Sequence, residues 1–210
     1  MSGPGTAGLE RRLRQAARVS DEDAAAAAAR LADRADADGV LEVGYATIDT
    51  PLGPMLLAAT GLGLVRVALP RETFDDVLGE LAERVSPRLL ERAGRVDAAR
   101  RELDEYFSGD RTSFDLPLDR RLISGPFRAS ILEAASEVPY GVAITYAEVA
   151  ARAGSPRAHR AAGSALGTNP IPIVIPCHRV VRAGGAIGNY GGGPEVKRFL
   201  LRHEGWLQED

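Results

Sequence analysis

The chain has 210 residues, 45% hydrophobic and 26% charged, with a formal net charge of −3; this is the composition of a soluble globular protein long enough for one large core or two small ones. Its single cysteine, Cys177, excludes an internal disulfide and a multi-cysteine zinc site, and none of its three histidines, His159, His178 and His203, stands at metal-ligand spacing. No metal is therefore expected, and the setting that fits is reduced and cytoplasmic, with no membrane span or signal peptide in the pattern.

Residues 1–40 read as an appendage. Residues 1–8 are rich in Gly, Ser and Pro and expected to be disordered. Leu9, Leu13, Ala16 and Ala17 fall at helical spacing, and Ser20 with Asp23 predicts the cap of a second, alanine-rich helix ending near Ala37. This extension is expected to be a dispensable, solvated helix. From Leu41 the pattern turns to strands over residues 43–48, 55–59 and 64–69, with turns at Thr50-Pro51-Leu52-Gly53 and Gly61-Leu62-Gly63, predicting a three-stranded antiparallel meander. A helix follows with Phe74, Val77, Leu78, Leu81 and Val85 on one face, then another over 97–107 with Gly109 beyond its end. In the latter, Glu102, Asp104 and Glu105 read as a solvated face. Residues 114–118 resemble a short edge strand, and 120–125 a linker.

The second half opens with a helix from Pro126, burying Phe127, Ile131, Leu132, Ala135 and Val138, and closed by Pro139-Tyr140-Gly141. Thr145 is placed to cap a short helix over 146–152; Gly154 ends it, and Ser155-Pro156 predicts the N-cap and first position of the next. Two short helices across a Gly-Ser-Pro turn outline a helix-turn-helix. Residues 157–165 carry almost no bulk besides Arg157, Arg160 and His159. A major-groove reader needs Asn, Gln or Arg aimed at base edges over several turns. A helix of Ala, Gly and Ser can instead press its backbone into a minor groove with one arginine as a probe. Small residues equally permit close helix packing, and both readings stand.

The expected fold is thus α/β. It has the extension (1–40), a small N-terminal domain of antiparallel sheet plus helices (41–120), and a mostly helical C-terminal domain (121–210) with a helix-turn-helix and an active-site loop. Charge divides along the same line: residues 1–120 carry 16 basic and 22 acidic side chains, residues 121–210 carry 10 and 7. Between Glu148 and Glu195 there is no acid, only Arg152, Arg157, Arg160, Arg179 and Arg182, a local cationic surface suited to a phosphate backbone. Lys197, the only lysine, reads as a bias of composition.

Residues 171–181, Ile-Pro-Ile-Val-Ile-Pro-Cys-His-Arg-Val-Val, hold the chemistry. Pro172 and Pro176 keep this β-branched run from pairing as a central strand, and Pro176 stiffens the chain just before the thiol. A lone cysteine is more often an inert small hydrophobe than a nucleophile, but here a base and a permanent cation follow it directly. Adjacent side chains on an extended chain point apart, so proton transfer from Cys177 to His178 calls for a water relay. Glu195 is accounted for as a charge in the first turn of the terminal helix over 194–204, which leaves Glu204 to orient His178. The Gly-rich stretch 184–193 is neither a dinucleotide nor a phosphate-loop pattern, so no cofactor is expected. Its backbone, with Tyr190 as a wall, suits a flat ligand such as an extruded base.

Pro176-Cys177-His178-Arg179-Val180, with Asn169-Pro170 before it and Gly188-Asn189-Tyr190 after it, resembles the DNA O6-alkylguanine alkyltransferase family. The resemblance covers residues 41–205 and is dense from Phe127 to Gly205. It implies that Cys177 accepts the alkyl group, that His178 deprotonates it through water, and that Glu204 holds His178. It further implies that Asn169 braces the active-site turn and that Tyr146 assists base rotation and hydrogen-bonds the guanine leaving group. Arg160 would fill the gap left by the flipped base, with Ala158, Ala161 and Ser164 beside it against DNA. Tyr190, Val180, Gly188 and Gly191 would line the base pocket. The implied activity is irreversible, single-turnover repair of O6-alkylguanine in double-stranded DNA by a monomer, with O4-alkylthymine left open as a substrate. The chain departs from the family pattern at Val142, Gly191 and Pro194, which bears on pocket preference, and it lacks the cysteine-rich zinc module of adaptive-response relatives. Three other readings are a lesion-binding relative that does not transfer, a helix-turn-helix regulator with a structural cysteine, and a cysteine hydrolase.

Overall fold

The computed structural model describes residues 20–208; the first of the two predicted N-terminal helices and the Gly/Ser/Pro-rich start lie outside them. The described residues divide into two compact units, one ending at Leu41 and the other beginning at Glu42. In the first, helix α1 (Asp21–Ala37) begins where expected: Ser20 is its N-cap, accepting from the Asp23 backbone N–H at 3.0 Å.

The second unit is built on a sheet. Strands β1 (Val43–Ile48), β2 (Met55–Thr60) and β3 (Gly63–Ala68) form the expected antiparallel meander. A fourth strand, β4 (Leu89–Glu91), adds to β1 in parallel, giving the order β3-β2-β1-β4. It is too short and too polar to stand out as a period-2 pattern. Every residue of β2 is buried because both faces of the sheet are covered. Leu56, Ala58 and Val65 pack with Val77 and Leu81 of α2 (Phe74–Arg84). Met55, Leu57 and Val67 face a larger core shared with α3 (Asp97–Ser108) and the C-terminal helices. The register shifts between Ala58 and Ala59, which face Arg66 and Leu64, so Val65 is an extra residue on β3 and Arg66 turns to the α2 side. There it pairs with Glu72 and Glu80.

Two expectations about this half are corrected. Glu102 is buried, not solvated: its carboxylate accepts the Asp115 backbone N–H at 2.8 Å and pairs with Arg111 at 3.4 Å. Residues 114–118 form no strand and pair with the sheet at a single bridge, Leu64 to Leu118, because Pro117 has no N–H to extend the ladder.

In the C-terminal half, α4 (Pro126–Ser136) buries Ile131, Leu132 and Ala135 as expected, while Phe127 is half-buried. Helix α5 (Tyr146–Arg152) starts with a full capping box between Thr145 and Glu148. Helix α6 runs over His159–Gly167. It does not start at Pro156: Ser155 and Pro156 form a turn, closed by the Ala158 N–H on the Ser155 carbonyl at 2.9 Å, and Ala158 is the cap position. Strands β5 (Ile144–Thr145) and β6 (Val180–Val181) pair in parallel, and α7 (Pro194–His203) closes the described chain.

The two halves share one core. Within the expected linker, 120–125, Leu122 is buried and Arg121 pairs with Asp119. The Pro170 carbonyl accepts the Val67 N–H at 2.9 Å and Arg66 Nη1 at 3.4 Å, tying β3 to the segment that leads to the thiol. No helix among the described residues is long and apolar enough to cross a membrane.

Candidate active site

The backbone from Asn169 to Val181 folds back on itself. Ile173 lies at φ 75°, a conformation costly for a β-branched side chain, and is fully buried, so surrounding packing holds it there. Pro172 and Ile175 make only an isolated bridge, in keeping with the two prolines. Cys177–Arg179 is a single turn of 3-10 helix, not the extended chain expected from sequence; the fixed φ of Pro176 starts the turn, and the Val180 N–H closes it on the Cys177 carbonyl.

Asn169 organises this turn. Its Oδ1 accepts the Ile171 N–H at 3.0 Å, while Nδ2 donates to the Ile175 carbonyl at 2.8 Å and to Cys177 Sγ at 3.1 Å. The amide thus spans both limbs of the bend and presents a donor to the sulfur. Burial pushes the Cys177 thiol up from its ordinary pKa; the Asn169 hydrogen bond and the Lys197 charge act the other way.

His178 is fully buried, with Nε2 at 2.8 Å from Glu204 Oε1. Glu204 caps the C-terminus of α7. It is also held by Arg179, through Nε on Oε2 at 2.8 Å and Nη2 on Oε1 at 3.0 Å, and by the Tyr106 hydroxyl on Oε1 at 2.8 Å. Burial alone would raise the Glu204 pKa, but hydrogen bonds and charge from His178 and Arg179 outweigh it and bring it to about 2. Burial lowers the His178 pKa, with Glu204 opposing, so the ring is neutral at pH 7. An ionised carboxylate can only accept, which puts the His178 proton on Nε2 and leaves Nδ1 with its lone pair. Nδ1 is buried and has no hydrogen-bond partner among the described residues.

Arg179 is the exception to the cationic surface expected from sequence. It is buried and spent on Glu204 and on the Val138 carbonyl, at 2.6 Å, whereas Arg152, Arg157, Arg160 and Arg182 are exposed.

Cys177 lines a cavity of about 420 Å³ together with Asn169, Pro172, Leu166, Tyr190 and Gly191. A second, open cleft of about 600 Å³ is lined by Tyr146, Arg160, Ser164 and Arg182, and shares Gly167, Tyr190 and Gly191 with the first as a common wall. The residues expected to meet DNA and those expected to meet the base therefore adjoin. Ala158 is half-buried and Ala161 exposed; neither lines the cleft. The Tyr146 hydroxyl donates to the Asn189 carbonyl at 3.4 Å. Gly188 stands at φ 75°, and a Cβ there would lie 3.1 Å from that hydroxyl, so the tyrosine and the loop need a residue without a side chain. The Tyr190 hydroxyl is buried without a hydrogen bond of good geometry; burial and the neighbouring thiol raise its pKa well above the ordinary value.

Two functional neighbours were not picked out from the sequence. Lys197 is fully buried, its Nζ on the Val180 carbonyl at 2.5 Å and 5.7 Å from the Tyr146 ring centre. Burial lowers its pKa to about 8, against the attraction of Cys177. The signal was present: Lys197, Leu200, Leu201 and Glu204 share the helical spacing of one buried stripe. Tyr106 shares the buried stripe of α3 with Ala99 and Leu103, but its partner is 98 residues away in sequence and nothing local points to it.

A thiol on the wall of a cavity, with a buried His–Glu pair next to it and a helix-turn-helix bearing exposed arginines alongside, fits a class of DNA-acting proteins. The family model for the 6-O-methylguanine DNA methyltransferase DNA binding domain matches residues 126–206, and that for the ribonuclease-like domain of the same proteins matches residues 43–120. The methylated-DNA–protein-cysteine methyltransferase of Methanosarcina barkeri is 39% identical over 160 residues, covering 76% of this chain and 96% of that one. The constitutive enzyme of Bacillus subtilis is 37% identical over 164 residues, covering 76% and 94%. Mycobacterium tuberculosis OGT, solved in complex with DNA, superposes with a TM-score of 0.67 at 38% identity, covering 77% of this chain and 92% of that one. The chain belongs to the methylated-DNA–protein-cysteine methyltransferase family, and it is a DNA-repair methyltransferase of the kind that acts once.

Proposed function

We propose that this protein binds double-stranded DNA through α5 and α6, extrudes an O6-alkylated guanine into the cavity at Cys177, and moves the alkyl group irreversibly onto that sulfur. The observation that carries the reading is the arrangement at the thiol: the only cysteine of the chain lines the cavity with Asn169 Nδ2 at 3.1 Å, and the adjacent His178 presents an unpartnered Nδ1 while Glu204 holds Nε2. The thiol proton passes through a water molecule to Nδ1, giving an imidazolium beside an ionised Glu204. The thiolate then attacks the alkyl carbon: a sulfur–carbon bond forms as the carbon–O6 bond breaks, and the electron pair leaves on guanine, where the Tyr146 hydroxyl offers a hydrogen bond. The product is a thioether, which water and cellular thiols do not reverse, so each molecule repairs one lesion as a monomer.

Arg160, exposed beside Ser164 on α6, is the side chain placed to occupy the stack when the base leaves. Tyr190 and Gly191, which line the cavity, would bound the base; Val180, fully buried in β6, and Gly188 line neither the cavity nor the cleft. The closely packed, bulk-free helix favours minor-groove insertion, since it has few side chains able to read major-groove edges.

The test is the intact mass of the protein after mixing with excess duplex carrying one O6-methylguanine. The wild type is expected to gain one methyl group per chain and no more, and Cys177→Ala none. Tight lesion binding with no mass gain would instead identify a non-transferring binder.

A further inference from the structure

We propose that Tyr106 is a positioning residue of the proton relay, its hydroxyl limiting how strongly Glu204 draws on His178 and so setting the pH at which Cys177 is activated. The inference rests on the relay proposed above.

Glu204 Oε1 carries three donors, namely His178 Nε2 at 2.8 Å, Arg179 Nη2 at 3.0 Å and the Tyr106 hydroxyl at 2.8 Å. A carboxylate oxygen has about two lone-pair sites, so three donors compete for its charge. Oε2 is served separately, by Arg179 Nε and, at 3.4 Å, by the Gly141 N–H. Tyr106 therefore acts on the very oxygen that faces the histidine.

The hydroxyl has little freedom to leave. Tyr106 is fully buried on α3, its ring 5.5 Å from Phe114, 4.9 Å from His203 and 6.2 Å from Tyr140. Its own carbonyl is 2.7 Å from His203 Nε2, pinning the backbone as well. Burial and the Glu204 charge raise its pKa, so it stays a protonated donor throughout the physiological range. A side chain of the N-terminal half thus reaches a carboxylate of the C-terminal half.

The sign of the effect follows from which charge the donor offsets. Each donor on Oε1 reduces the charge available to Nε2–H, and with it the stabilisation of the imidazolium. Removing the tyrosine oxygen makes Glu204 the stronger acceptor and His178 the stronger base. Below its pKa, His178 already holds a proton on Nδ1 and cannot take one from the thiol, so the rate falls as pH drops through that value. A more basic His178 loses activity at a higher pH. The other charged groups acting on His178 are Arg179 and Lys197, and Tyr106 substitution removes neither.

The experiment is the pH profile of the single-turnover methyl-transfer rate for wild type, Tyr106→Phe, and protein with 3-fluorotyrosine at position 106 alone. In Tyr106→Phe the acid-limb midpoint is expected to rise, by about one unit for a lost hydrogen bond to a charged group. The fluorinated residue, a stronger donor with no atom deleted, is expected to lower it and keeps the test valid if the phenylalanine variant folds poorly. Unshifted midpoints in both proteins, with wild type still gaining one methyl group, would overturn the role of Tyr106 while leaving the transfer reading intact. A wild type that gains no methyl group would instead remove the transfer reading on which the inference rests.

Discussion

Glu204 concentrates the electrostatics of the site on one carboxylate. It is almost wholly buried and is tolerated as an anion only because Arg179, His178 and Tyr106 supply donors. Glu204→Gln keeps the shape but leaves the Arg179 guanidinium buried without a counter-charge. The expected cost is about 3 kcal/mol in urea unfolding at neutral pH, together with a large loss of transfer rate. Acid should expose the same group. With a folded pKa of about 2 and an ordinary value near 4.5, Glu204 contributes stability that is complete above about 4.5 and is lost as pH falls toward about 2. Unfolding free energies measured across that window should fall less steeply in Glu204→Gln than in wild type. At this scale the sequence was informative where partners are near in the chain. Cys177, His178 and Asn169 lie within ten residues, and their order names the turn. Glu204 was reached by elimination in an acid-poor region. Tyr106 and Lys197 were not reached, because one is a distant aromatic and the other a cation whose helical face, not its charge, decides where it sits.

Among the elements, the active-site turn and the glycine loop are shaped by backbone conformations that only context can hold. Ile173 keeps its left-handed φ inside a fully packed core, so the bend before Cys177 is enforced by neighbours and not by local preference. Gly188 is the reverse case, where the residue type itself makes room. Gly188→Ala would strain a backbone at φ 75° and bring its Cβ to 3.1 Å from the Tyr146 hydroxyl and 3.3 Å from Arg182 Cγ. The expected result is a fall of about tenfold in the transfer rate on duplex DNA, equal to ~1.4 kcal/mol in the barrier, with the circular dichroism spectrum unchanged. Helix starts were legible where capping chemistry is local, as at Ser20 and Thr145. They were misplaced where a good cap serves another purpose: Ser155 and Pro156 have the right identities for a helix start but form the turn that delays α6 to His159.

For residues 42–210 as a body, what matters is that scaffold and chemistry pack through one core. The sheet packs α2 on one face and the C-terminal helices, with the segment around the thiol, on the other. A Cβ at Gly192, two residues beyond Tyr190, would lie 2.5 Å from Leu69 Cδ1 of the N-terminal half, so the glycine loop abuts the scaffold there. The meander, both sheet helices and the helix-turn-helix were legible from periodicity and turn residues. The parallel β4, the burial of Glu102 and the shared core were not, because each is set by contacts between segments far apart in the chain.

The same body sorts its arginines by depth: Arg179 is enclosed with its carboxylate, while Arg152, Arg157, Arg160 and Arg182 face water. In the proposed complex, counterions leave DNA where Arg152, Arg157 and Arg182 meet phosphate, at a slope of about −0.9 in log affinity per contact on a logarithmic salt scale. The enclosed pair is shielded from mobile ions altogether. Ionic strength should therefore divide the reaction into two parts. Between 50 and 200 mM salt, methyl transfer from a lesion in duplex DNA, followed under sub-saturating conditions, should slow severalfold or more by the same rule. Transfer from the free O6-methylguanine base, which in the proposed mechanism uses the cavity and the relay but no phosphate, should proceed at an unchanged rate.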